Sequence, residues 1–148
     1  MIAGAEGWFD LSAVLVRAMN ISEHDQVKEN LLIEGLQDFI HLSEIHTAFM
    51  FDDRTPKRPR REAQEMTLNM IRELVNEGLF VLGVPNKKDP TGFTRWDLPL
   101  ESAIAEIEEA YVKNFDDRWG WVTIVWLNQT DKGKKLALEL YHAGEPWP

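Results

Sequence analysis

Residues 39–46 read Phe39-Ile40-His41-Leu42-Ser43-Glu44-Ile45-His46, and residues 66–80 read Met66-Thr67-Leu68-Asn69-Met70-Ile71-Arg72-Glu73-Leu74-Val75-Asn76-Glu77-Gly78-Leu79-Phe80. Ile40 to Leu42 is short and apolar, as a strand leading into a helix should be. Ser43 is placed to cap that helix, which carries Ile45, Ala48, Phe49 and Met50. Asp52 to Pro59 is a break, because Thr55-Pro56 and Arg58-Pro59 put two prolines into four residues and bar a regular helix. A long helix opens at Arg60 or Arg61. Its apolar face is Ala63, Met66, Met70, Ile71, Leu74 and Val75, and its other face carries Glu62, Gln64, Glu65, Asn69, Arg72, Glu73 and Asn76. Gly78 stands where a left-handed residue closes a helix, and Leu79 to Val84 follows as a strand.

Upstream, Ser22 is a good N-cap with Asp25 three residues on. The helix it opens shows Val27, Leu31, Ile33, Leu36 and Phe39, weakened at Gly35 by about 1 kcal/mol relative to alanine. Before it, Trp8, Leu11 and Leu15 fall at helical spacing, so Asp10 to Met19 reads as an amphipathic helix. Downstream, Asn86 to Thr91 is a turn and Phe93 to Trp96 a brief strand. Pro99 begins a helix that buries Ala103, Ile104, Ile107, Ala110 and Tyr111 and exposes Glu101, Glu106, Glu108 and Glu109. Asn114 to Arg118 ends it. Trp121 to Leu127 alternates and is rich in β-branched residues, which predicts a strand with Trp119 and Trp121 on one face and Trp126 on the other. Thr130 caps a last helix through Leu136, Leu138, Leu140 and Tyr141, stopped by Gly144 and Pro146.

The 148 residues suit one domain, and 44% apolar with 10% aromatic content suits a globular core. The absence of cysteine excludes disulfides, zinc fingers and thiol nucleophiles. No apolar run approaches membrane-spanning length, and the N-terminus lacks the basic start of a secretory signal, so the expectation is a soluble, cytoplasmic protein without membrane contact. Net charge is −9, a field that repels phosphate backbones. Arg54, Lys57, Arg58, Arg60 and Arg61 concentrate five cations in one loop, and without them the remainder carries −14 (−9 minus 5). That loop has three readings: a phosphate clamp, a dock for an acidic protein or for an acidic surface of its own dimer mate, and a flexible, solvated loop.

The segment Leu74-Val75-Asn76-Glu77-Gly78-Leu79 resembles the "Leu-Val-x-x-Gly-Leu" that turns into the wing of winged helix-turn-helix domains. Gln129-Thr130-Asp131-Lys132-Gly133 is similar to the "Leu-Thr-x-x-Gly" that follows their last wing strand. Gly92-Phe93-Thr94-Arg95-Trp96-Asp97, taken with Trp121 to Leu127, resembles an uncharacterised bacterial family of this architecture. The resemblance covers roughly residues 22–141. It implies an α+β, winged-helix-like fold, mainly helical, with a small antiparallel sheet. It implies a fold and not a function. The chain departs from the family in the wing, where an insertion of about residues 86–118 carries an extra helix between the wing strands. Residues 1–21 form an N-terminal extension, expected to be helical, and residues 22–148 the domain. Segment 96–117 holds seven acids against Lys113 alone, a net −6, and would be repelled by a duplex.

Two binding readings follow. The first is a non-enzymatic protein-binding module of antitoxin, immunity or adaptor type. Its acidic insert meets a basic partner through Trp96, Glu101, Glu106, Glu108, Glu109 and Trp147. The second is a DNA-binding transcriptional regulator. It reads bases with Gln64, Thr67 and Asn69 of the third helix, holds phosphates with Arg54, Lys57, Arg58, Arg60 and Arg61, and dimerises through residues 8–19. No catalytic, cofactor or metal site is expected. His41 and His46 are five apart rather than four, and the segment is not His-Glu-x-x-His. The acid pairs Asp52-Asp53, Glu108-Glu109 and Asp116-Asp117 are adjacent and diverge on a helix. Ser12, Ser22, Ser43 and Ser102 lack the strand-turn-helix context of a nucleophile.

Overall fold

A computed structural model describes residues 21–143. The described residues form α1 (Glu23–Glu34), β1 (Ile40–His41), α2 (Leu42–Met50), β2 (Phe51–Asp52), β3 (Thr55–Pro56) and α3 (Arg60–Asn76). Then come β4 (Phe80–Pro85), β5 (Phe93–Arg95), α4 (Leu100–Glu108), a π-helical turn (Glu109–Lys113), α5 (Arg118–Val122), β6 (Trp126–Gln129) and α6 (Asp131–Ala143). The class is α+β, with an antiparallel four-stranded sheet ordered β1-β6-β4-β5 and a separate hairpin of β2 and β3. The core lies between the helices and one sheet face, built from Leu31, Leu32, Phe49, Ile71, Phe80 and Leu127. Each such side chain contributes about 1.5–3 kcal/mol by leaving water.

The termini of α1 and α3 obey their sequence. The Asp25 N–H donates to Ser22 Oγ at 3.1 Å. Gly78 has φ +72°, and Leu79 N–H reaches back to the Leu74 carbonyl at 2.9 Å, which closes α3. Helix α1 stops at Glu34, short of Leu36 and Phe39, and the next residue, Gly35, leaves no room for a side chain between the helix, the Phe80 ring and the Gln129 amide. Phe39 then packs on Phe93, centroids 5.0 Å apart.

Two expectations are corrected. Ser43 is not a cap. Ile40 and His41 pair with Leu127 and Trp126, so the chain stays extended through His41 and α2 starts at Leu42. The Glu44 carboxylate then accepts from the His41 N–H at 3.2 Å. Nor is Trp121 to Leu127 a strand. Arg118 to Val122 is helical, and only Trp126 to Gln129 is extended. β6 pairs with Phe80 to Gly83 of β4; continuing it backwards would place it against Val84 and Pro85, and proline has no N–H for a ladder. Trp119 and Trp121 therefore belong to a helical turn, not to a sheet face.

Glu34 and Glu44 meet where the end of α1 passes the start of α2. Burial, then the hydrogen-bonded Glu44 carboxyl, pushes Glu34 up to about 7. The folded state thus holds the proton more tightly than the unfolded one. The contribution is complete below the ordinary value of 4.5 and is lost as pH rises through 7. The melting temperature should fall between pH 5 and 8, and Glu34→Gln should flatten that slope and leave the variant more stable than wild type at pH 8. Parallel pH profiles in the two proteins would contradict the assignment.

Candidate protein-binding surface

Residues 99–122 build a lobe on the flank of α2 and α3. Pro99 precedes α4, and the Ala103 N–H donates to the Pro99 carbonyl at 3.0 Å. Ala103, Ile104 and Ile107 face inward as a 3.6-residue stripe. The helix then widens into the π turn, which Asn114 closes by donating Nδ2 to the Glu109 carbonyl at 2.7 Å. Insertions of this kind re-aim the side chains that follow and recur at functional sites. Here Tyr111 lies in the interior, fully buried.

Tyr111 anchors the lobe. Its hydroxyl is 2.5 Å from His46 Nδ1 on α2. Around the pair, Phe115 stacks on Trp121 at 5.0 Å with an interplanar angle of 15°, and Trp121 Nε1 donates to the Phe115 carbonyl at 2.8 Å. The Arg60 guanidinium lies 4.4 Å over the Phe115 ring. Burial, with the Arg60 charge adding to it, pushes His46 down to about 4, so the imidazole is neutral at pH 7. Burial also pushes the Tyr111 phenol above its ordinary range. The cluster is a neutral, hydrogen-bonded aromatic core that holds the lobe in place.

That packing covers the middle of α3. Gln64 is buried and donates Nε2 to the Tyr111 carbonyl at 3.0 Å, and Thr67 is buried and donates Oγ1 to the Ala63 carbonyl at 2.8 Å. Both side chains are thus engaged inside the chain, although Gln64 also lines a hollow with Arg61, Asn69 and Glu108. Asn69 stays exposed and accepts from Arg72 at 3.1 Å. The basic loop is mostly engaged within the chain. Lys57 Nζ is 2.7 Å from Glu23, and Arg58 donates to both Glu23 oxygens at 2.6 and 3.0 Å and to the Phe49 carbonyl at 2.6 Å. The Arg58 hydrogen bonds, joined by Lys57, draw Glu23 down to about 2. Arg61 sits 3.8 Å from Glu65. Arg54 stands exposed at the tip of the β2–β3 hairpin with φ +74°.

The acids of the lobe separate. Arg72 donates to both carboxylate oxygens of Glu101, at 3.1 and 3.2 Å. Glu108 lines a hollow with Arg61 and Arg72 on the α3 side. Glu106 and Glu109, three apart and so on one helical face, line a groove of about 370 Å³ with Ala110, Asn114, Asp117 and Ile124. Trp119 is next in sequence to Gly120 of the groove wall and has 75% of its surface exposed. Trp96 is elsewhere. It lines a cleft of about 490 Å³ with Arg95, Leu98 and Leu100 at the other end of α4, and its N–H donates to the Leu82 carbonyl at 2.8 Å. Trp147 and residues 8–19 lie outside the described residues.

Sequence reasoning placed Trp119 in a strand and missed it, together with Asp117, as part of the surface. The signal was available: Asp117 lies three residues before Gly120, whose N–H donates to the Asp117 carboxylate at 3.4 Å, the pattern of a helix cap. Among the described residues no group of three or more His, Cys, Asp or Glu is arranged to hold a metal ion, and no helix is long and apolar enough to cross a membrane. Comparison of the chain with protein-family models, with curated proteins and with solved structures finds no match.

Proposed function

We propose that the chain is a protein-binding module in which a winged-helix-like domain, residues 22–148, carries a lobe inserted at about residues 86–118 that receives a basic segment of a partner protein. The domain reading is supported by the order α1-β1-α2-α3-β4 and by the return of β6 between β1 and β4. The binding reading is carried by one observation: a groove bordered by three carboxylates, those of Glu106, Glu109 and Asp117; Trp119, exposed and next in sequence to Gly120 of its wall, belongs to the same lobe. An arginine or lysine entering the groove meets carboxylates on its walls, and the exposed Trp119 indole of the same lobe offers apolar area to the partner. Adaptors, antitoxins and immunity proteins share this chemistry. The regulator reading loses support because the centre of α3 is occupied by the lobe.

An arginine- and lysine-rich peptide should bind at 50 mM salt and weaken as salt is raised, since the groove carboxylates are screened. Trp119→Ala should cost about 2 kcal/mol, close to thirtyfold in Kd, and Glu106→Lys with Glu109→Lys about as much again. Calorimetric titration checks each. A wild-type protein that ignores the peptide but retains duplex DNA at 50 mM salt would reverse the reading.

A further inference from the structure

Strand β4 outruns one of its neighbours. β6 pairs with Phe80 to Gly83, whereas β5 pairs only with Gly83, Val84 and Pro85. The Trp96 N–H still reaches the Leu82 carbonyl at 2.8 Å, and the chain then leaves the sheet for Pro99 and α4. Along an antiparallel strand every second residue turns its N–H and C=O to the same neighbour. Leu82 faces β5, so Phe80 faces the same way, onto an edge that no strand among the described residues covers.

The cleft of about 490 Å³ opens at this edge, and its volume is that of a small-molecule site. Phe80 and Leu82 line it from the sheet, Val75 from the end of α3, and Leu98 and Leu100 from the approach to α4. Leu98 is 43% exposed despite its apolar side chain. A single charged residue lines the cleft, Arg95, and no acid does, in a chain of net charge −9. Arg58, Arg61 and Arg72 are each held by a glutamate. Among the described residues no carboxylate pairs with Arg95. Asp97, the nearest acid in sequence, is exposed and outside the lining.

We infer that this cleft binds a small carboxylic acid with an aromatic or branched apolar body. The carboxylate meets Arg95, whose planar fork matches its two oxygens, and the apolar body lies against Trp96, Leu98 and Leu100. A free acid fits better than a peptide C-terminus. The uncovered edge is only Phe80 and Val81, and an added peptide strand needs pairing over several residues. The cleft shares no lining residue with the groove of Glu106 and Glu109, so this inference stands apart from the protein-binding reading.

Phenylacetate is the probe, with 2-phenylethanol as its neutral counterpart, each titrated into the nitrogen-15-labelled full chain at pH 7. Phenylacetate should bind with a Kd of about 1 mM or tighter, the scale open to a ligand of about ten non-hydrogen atoms. Its shifts should centre on the Trp96 indole and the amides of Phe80, Leu82 and Arg95. Arg95→Gln should weaken it by about tenfold or more, to the level of the alcohol, through loss of the charged hydrogen bonds. Arg118→Gln, which removes the same charge from another exposed position, should leave the affinity unchanged. Leu98→Asp keeps Arg95 and sets a carboxylate in the lining, and it should abolish binding. Because Arg95 and Leu98 are exposed, both variants should keep the wild-type unfolding midpoint. Equal affinity for acid and alcohol, undiminished binding by Arg95→Gln, or shifts that leave the cleft untouched would overturn the assignment. A tetrapeptide ending in a free phenylalanine that binds where phenylacetate does not would give the cleft to a peptide and overturn it too.

Discussion

Tyr111→Ala should cost about 4 kcal/mol of unfolding free energy, the middle of the range for deleting a buried aromatic ring. Tyr111 is fully buried and holds three parts of the lobe together: its own π turn, Trp121 of α5 at 5.2 Å and His46 of α2. Truncation removes ring contacts on all sides, and the closed helical frame cannot collapse into the gap. It also orphans His46 Nδ1 in a site where that nitrogen has no access to solvent water, a further cost of about 1–3 kcal/mol if nothing replaces the bond. Tyr111→Phe isolates the second effect, since it keeps the ring and deletes the hydroxyl. The variants should therefore order as wild type, Phe, Ala in urea midpoint. In Tyr111→Ala the fluorescence of Trp121 should shift to the red, because its stacked neighbour Phe115 loses the same wall. An alanine variant within about 1 kcal/mol of wild type would mean that the lobe is not anchored through this ring.

The same residue explains why the centre of the molecule was partly illegible. Helix α3 could be read because its signals are local: an apolar face at helical spacing and Gly78 at its end. Ser22 and Thr130 were legible for the same reason, the latter donating to the Gly78 carbonyl and accepting from the Gly133 N–H. Gln64 and Thr67 were not. A polar side chain on the outer face of a helix reads as surface, and nothing near position 64 announces that a carbonyl 47 residues later will lie over it. Trp121 to Val125 failed differently. Its alternation is that of a strand, but a strand needs a free partner edge, and β4 had already ended in Pro85. The acidic lobe itself was legible as composition. Which of its acids share a groove was decided by the π turn, and which tryptophan stays at the surface by the helical turn at Arg118–Val122, neither of which alternation or charge counting detects.

Gly83→Ala should cost about 3 kcal/mol or more, although it adds one methyl group to a strand. Gly83 is paired on both sides, with Trp126 of β6 and Arg95 of β5. A Cβ built there lies 2.2 Å from the Thr94 carbonyl oxygen, 2.6 Å from the Phe93 ring and 2.9 Å from the Arg95 Cα. The first and last are backbone atoms, so rotamer changes cannot relieve the clash and β5 must move away from β4. Overpacking ordinarily costs 1–3 kcal/mol because side chains can yield; here the ladder itself must yield, which sets about 3 kcal/mol as the floor. Gly92 provides the comparison. Its φ is +77°, but a Cβ would meet nothing within 4 Å, so Gly92→Ala carries only the left-handed backbone penalty of about 1–2 kcal/mol. Equilibrium unfolding should thus rank Gly83→Ala well below Gly92→Ala. Exchange at Thr94 and Arg95 should rise in the Gly83 variant while the interior of α3 stays slow, because the strand that detaches also carries Trp96 and the entry to α4. The opposite ranking would show that β5 is free to shift, and that the lobe depends on its aromatic anchor alone for its position.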